Sequence, residues 1–110
     1  MNLLMLLAAL SGAMAVGAGA FGAHGAEGSA REWLQTGGQY QLVHAVAALV
    51  ALRLEARGPG WLFVAGGLIF AGTLYAMALG APRWLGAVTP IGGTLLIAGW
   101  LWLGWQAVRG

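Results

Sequence analysis

The chain has 110 residues, 60% of them hydrophobic and 7% charged, with a formal net charge of +2 and no cysteine. Soluble domains carry about 25% charged residues, so this composition excludes a water-soluble globule and specifies a membrane protein, read as one unit over residues 1–110. It also excludes disulfides and thiolate metal sites, and the basic residues are five scattered arginines that form no patch for nucleic acid.

Four apolar windows follow one another, roughly 3–23, 38–54, 61–80 and 85–108. Each approaches the ~20 residues a helix needs to cross ~30 Å of hydrocarbon, and each is too continuous for the alternating strands of a barrel. The predicted fold is an all-α membrane protein, a four-transmembrane-helix up-down bundle. The first window closes on "GAGAFGAHG", ending an apolar run on His24. Its "AVGAGA" resembles a signal-peptidase site, but the apolar stretch exceeds a usual signal core and no basic segment precedes it, so the window is expected to be retained.

Before the second window, "SARE" offers Ser29 as an N-cap with Glu32 three residues on, the capping-box pattern, which predicts a helix start near Ala30. If that helix continues through Gly37 and Gly38, Trp33, Gly37, Tyr40, His44, Ala48 and Ala51 share one face. "RGPGW" then separates windows two and three, and "GAPRW" separates three and four. Thr89 before Pro90 reads either as a new helix start or as a kink within the fourth helix. Small residues let helices approach closely in lipid. Internal packing is therefore expected at Ala9, Ala13 and Gly17 on the first helix, at Gly72, Ala76 and Gly80 on the third, and at Gly92 and Gly93 on the fourth. Trp61, Trp100, Trp102 and Trp105 are read as an interfacial aromatic belt.

Arginine bias sets orientation. With four spans, Arg53, Arg57 and Arg109 share the side of both termini, against Arg31 and Arg83 opposite, which predicts cytoplasmic termini. In an up-down bundle His24, Tyr40, Gln41, His44, Thr73, Tyr75 and Thr89 would gather in one leaflet, a candidate polar cluster or ligand site drawn from all four helices.

"GAFGAHG", "QYQLVHA", "FAGTLY", "TPIGG" and "AGW", in that order and spanning nearly the whole chain, together resemble the small integral-membrane family of YgdD and transmembrane protein 256. Where that family shows a serine pair around the glycine of the third motif, this chain has Ala71 and Thr73. The resemblance implies four spans and a bacterial inner-membrane location. It implies no catalytic residues, because the family is a domain of unknown function.

No enzyme is expected. The acids Glu27, Glu32 and Glu55 all lie outside the apolar windows, which leaves no buried carboxylate for acid–base work, and two histidines are too few for zinc. Three functional classes remain. The first is a structural or accessory component that packs against a membrane-protein partner or a second copy of itself within the lipid bilayer. The second is a carrier or narrow conductance for a proton or small solute, and the third a haem- or quinone-binding redox subunit. No cofactor is specified by the residues.

Overall fold

The computed structural model describes residues 1–110 and is helical throughout. The helices are α1 (Leu3–His24), α2 (Gly28–Arg53), α3 (Arg57–Ala78) and α4 (Thr89–Arg109), with a 3-10 turn over Arg83–Ala87 before α4. Three of these segments, α1, α3 and the stretch from Arg83 through α4, are long and apolar enough to cross a membrane. The polar composition of α2, with Arg31, Glu32, Gln35, Gln39, Gln41 and His44 within its 26 residues, keeps it outside that criterion.

Consecutive helices run antiparallel. Leu4 of α1 packs with Ala48 and Ala51 near the end of α2, while Gly22 faces Leu34 near its start. Gly60 of α3 meets Ala48 and Ala51, and Gly37 meets Ala71 and Tyr75 at the other end. Gly66 faces Gly92, and Phe63 faces Gly99, which sets α4 against α3. α2 therefore lies between α1 and α3, and α3 between α2 and α4. The apolar core sits towards one end, where Leu4, Ala8, Ala48, Ala51, Ala56, Phe63 and Val64 are buried together.

α2 starts ten residues before the expected apolar window and near the expected helix start, but its N-cap is Glu27, with no side-chain capping bond. Ser29 lies inside the helix, so the Ser29/Glu32 capping box does not form. Gly37 and Gly38 fail to break the helix because each sits against a neighbouring backbone. A Cβ on Gly38 would lie 3.0 Å from the Ala15 carbonyl, and one on Gly37 would lie 3.4 Å from the Ala71 Cα. Packing of this kind offsets the ~1 kcal/mol helix penalty of each glycine. Pro59 lies in the first turn of α3, where its missing N–H interrupts no hydrogen bond. Pro90 likewise falls in the first turn of α4, so the Thr89–Pro90 step is a helix start and not a kink.

The expected small-residue ridges divide. Gly92 is buried, and a Cβ there would collide with the backbone of Phe70; Gly93 lies within ordinary contact of the Phe70 ring. Gly17 and Gly72 point away from the bundle with nothing near the position of a Cβ, and Ala9 and Ala13 are exposed. Ala76 is half-buried, and Gly80 is a turn residue with φ +106° after the end of α3. Four-residue spacing identifies a stripe but not the side of the helix that meets a neighbour, so Ala9, Ala13, Gly17 and Gly72 fall on outward faces. The internal close approaches lie instead at Gly22, Gly37, Gly38, Gly60, Gly66 and Gly99.

Candidate functional site: polar bridges between the helices

Every buried side-chain nitrogen and oxygen has a hydrogen-bond partner, and the partners form three separate bridges. The first centres on Gln41, only 1% exposed. Its Nε2 donates to Ser11 Oγ at 2.9 Å and contacts Met14 Sδ at 3.4 Å, both on α1. The Tyr75 hydroxyl of α3 donates to its Oε1 at 2.6 Å. A primary amide has donors and acceptors on opposite corners, so one side chain on the middle helix ties both neighbours.

The second bridge joins α2 to α4. Trp100 Nε1 donates to His44 Nε2 at 2.9 Å, and His44 Nδ1 lies 2.6 Å from the Tyr40 carbonyl one turn back. An indole N–H can only donate, so Nε2 is the acceptor and the imidazole carries its proton on Nδ1, donating to that carbonyl. Phe63 and Trp100 pack on the imidazole at centroid distances of 5.7 and 5.9 Å, and the Tyr40 ring is stacked 6.4 Å away. The third bridge is Thr73 to Thr89, hydroxyl to hydroxyl at 2.6 Å, which pins the end of α3 to the start of α4.

The expected cluster therefore resolves differently from a single-leaflet network. Arg83 lies over the Trp33 ring at 5.5 Å, a cation–aromatic pair that marks the polar end of the bundle. At ~1.5 Å per residue, His44 is about 16 Å further along α2 and Arg53 about 14 Å beyond it, so His44 lies near mid-height. A second helix starting at Gly38, where the apolar window begins, would put His44 only about 9 Å in, within one leaflet. His24 joins none of the bridges: it is exposed beside Glu27 and Arg31, where α1 turns into α2. Thr94 is spent on the Pro90 carbonyl of its own helix.

Three members went unrecognised in the sequence: Ser11, Met14 and Trp100. The sequence reads Trp100 as part of an interfacial belt with Trp102 and Trp105, yet its N–H is on His44, whereas Trp105 stacks under Arg109 at 4.7 Å. The available signal was position, since Trp100 precedes Trp102 and sits well inside α4; Ser11 carried the ordinary signal of a polar residue within an apolar run. Haem ligation does not fit. Both nitrogens of His44 are engaged, and about 24 Å of helix separates it from Gly28 near His24.

Between α2 and α4 lies a groove of about 420 Å³, with Thr36, Tyr40 and His44 on one wall, Phe70 at its base and Leu96 and Trp100 opposite. The Tyr40 ring packs on Phe70 at 5.1 Å and remains 48% exposed.

Residues 18–93, which include the Gln41, His44 and Thr73–Thr89 centres, match the family described as "Protein of unknown function (DUF423)". The chain belongs to that family. It is 40% identical to the UPF0382 membrane protein YwdK of Bacillus subtilis, over 99% of this chain and 98% of the relative. A UPF0382 membrane protein of Haemophilus influenzae is 41% identical over 98% and 95% of the two chains, and one of Staphylococcus haemolyticus is 41% identical over 94% and 93%. No solved structure matches this DUF423 chain. Like these relatives, it is a small membrane protein whose family name assigns no activity.

Proposed function

We propose that this DUF423 protein is a non-enzymatic structural or accessory component of the bacterial inner membrane, crossing it four times with both termini in the cytoplasm. A single observation carries the reading: every buried polar side-chain atom has a hydrogen-bond partner within the bundle, and the long-range partners join one helix to another. Gln41 joins α1, α2 and α3, His44 joins α2 to α4, and Thr73 joins α3 to α4. Such bridges leave no unpaired buried group to relay a proton or grip a solute, and interhelical hydrogen bonds are a general means of locking bundles in lipid. The fourth crossing is supported by α2 running antiparallel between α1 and α3, with its charges confined to Arg31 and Glu32 near one end and Arg53 at the other. The orientation is supported by Arg53, Arg57 and Arg109 at one end against Arg31 and Arg83 at the other.

Purified protein carrying Gln41→Leu or His44→Phe, compared with wild type by thermal melts and by proton flux in vesicles, tests the reading. The expected result is a lower melting temperature with no flux in any form. Wild-type flux that vanishes in a variant of unchanged melting temperature would replace the scaffold with a conducting path.

A further inference from the structure

On the wall of the α2–α4 groove two hydroxyls make no hydrogen bond. The chain has four threonines, and three of them, Thr73, Thr89 and Thr94, hold the hydroxyl within hydrogen-bond distance of a backbone carbonyl one turn back. Thr36, on the same kind of helix, makes no such bond. The Tyr75 phenol is taken up by Gln41, whereas at Tyr40 only the backbone carbonyl is bonded and the phenol is free. Both free hydroxyls lie on the wall of the α2–α4 groove, one turn apart, opposite Leu96 and Trp100. In a bilayer this groove faces hydrocarbon, where an unpaired hydroxyl costs free energy that water cannot offset.

We infer that the groove holds one ester-linked acyl arm of a bilayer glycerophospholipid, whose ester carbonyl accepts from Tyr40 and Thr36. Depth supports the ester. From the Arg83–Trp33 contact at the polar edge, Thr36 lies about 4–5 Å inward along α2 and Tyr40 about 10 Å, the layer just inside the headgroups. Donor type supports it too. Thr36 and Tyr40 present hydroxyl hydrogens, and the matching lipid group is an acceptor oxygen. The apolar body fits a chain, because Phe70 and Leu96 line the path inward until Trp100, held on His44, closes the deep end. No arginine lines the groove, so it selects for the ester linkage and not for headgroup charge. The volume of about 420 Å³ falls within the range of small-ligand sites, about 300–1,000 Å³. The site rests on α2 crossing the bilayer as proposed above.

The full chain is reconstituted with equal amounts of diester and diether phosphatidylcholine of matched chain length, and separately with the phosphatidylglycerol pair. Lipid retained after extraction in mild detergent is read by native mass spectrometry. The diester lipid should be retained about tenfold over the diether, equally for both headgroups, since the ether lacks the carbonyl. Tyr40→Phe with Thr36→Val removes two hydroxyls that take no part in the bridges, keeps the Tyr40 carbonyl and an aromatic ring beside His44, and should abolish the preference at an unchanged melting temperature. Gly93→Leu, which fills the groove, should lose both lipids. Equal retention of diester and diether overturns the proposal, as does an ester preference that survives the double variant, a preference that follows headgroup charge, or a quinone retained in place of phospholipid. Reporter fusions read the four-span topology independently, so failure there is distinguishable from failure of the lipid site.

Discussion

Gln41 makes more hydrogen bonds between helices than any other side chain, which makes its removal informative. Gln41→Leu strands the Ser11 and Tyr75 hydroxyls, and a stranded buried polar group costs about 1–3 kcal/mol. A loss of about 2 kcal/mol is expected in detergent unfolding. Adding Ser11→Ala and Tyr75→Phe should recover part of it, since removing all the partners leaves nothing unsatisfied. No recovery would mean that packing volume, not hydrogen bonding, dominates at that position. His44→Phe keeps a ring against Phe63 but removes the acceptor of the Trp100 N–H. One indole N–H resonance among the six tryptophans should move upfield, with a loss of about 1 kcal/mol. Six unshifted indole resonances would contradict the Trp100–His44 bond. Of these residues, Gln41, His44 and Tyr75 were legible in the sequence because polar groups inside apolar windows stand out. Trp100 was not, since a tryptophan near a helix end has a cheaper explanation as an anchor, and only the approach of α4 to α2 reveals its partner.

Helix by helix, close backbone approach decides which glycines matter. Gly92→Leu would drive a side chain into the Phe70 backbone and the Gly66 carbonyl, forcing α3 and α4 apart. Overpacking of this kind costs about 1–3 kcal/mol. Gly72→Leu enters open space on the outward face of α3 and should stay within about 0.5 kcal/mol of wild type, as should Gly17→Leu on α1. Melting temperatures of the three variants in one detergent check the ranking, and a Gly72→Leu defect as large as that of Gly92→Leu would mean that the outward stripe is covered by another helix. The start of α4 depends on a different device. Thr89 bonds both Thr73 and the Leu85 carbonyl, so Thr89→Val should loosen the 3-10 turn over Arg83–Ala87 and raise amide exchange there while leaving α1 and α2 protected.

For the whole molecule, span number and orientation are the properties that a membrane experiment reads directly. Reporter fusions after Gly110 and in the α1–α2 connection, residues 25–27, should report opposite sides, with the C-terminus cytoplasmic. A third fusion in the α3–α4 connection, residues 79–82, should match the α1–α2 connection, because the Arg83–Trp33 contact puts the two at one end of the bundle. A mismatch between those two sites would remove α2 as a crossing helix. Exchanging Arg53 and Arg57 for alanine should weaken the orientation without changing the number of spans, since positive charge biases insertion and hydrophobicity drives it.

Composition and apolar window length were enough, by themselves, to determine a helical membrane protein, because hydrocarbon admits few ways to satisfy a backbone. The motif order was enough to recognise the family, and the proline and glycine runs marked where the helices turn. Three-dimensional packing decided the rest. It carried α2 through Gly37 and Gly38, turned the Gly17 and Gly72 stripes outward while burying Gly66 and Gly92, and divided one imagined polar cluster into three bridges. The physical reason is that periodicity tells which residues share a face, whereas the direction of that face depends on what the other helices present. In a bundle rich in small residues several faces are equally able to pack. Only the mutual fit of all four helices selects among them, and with it the partners of Gln41, His44 and Thr73.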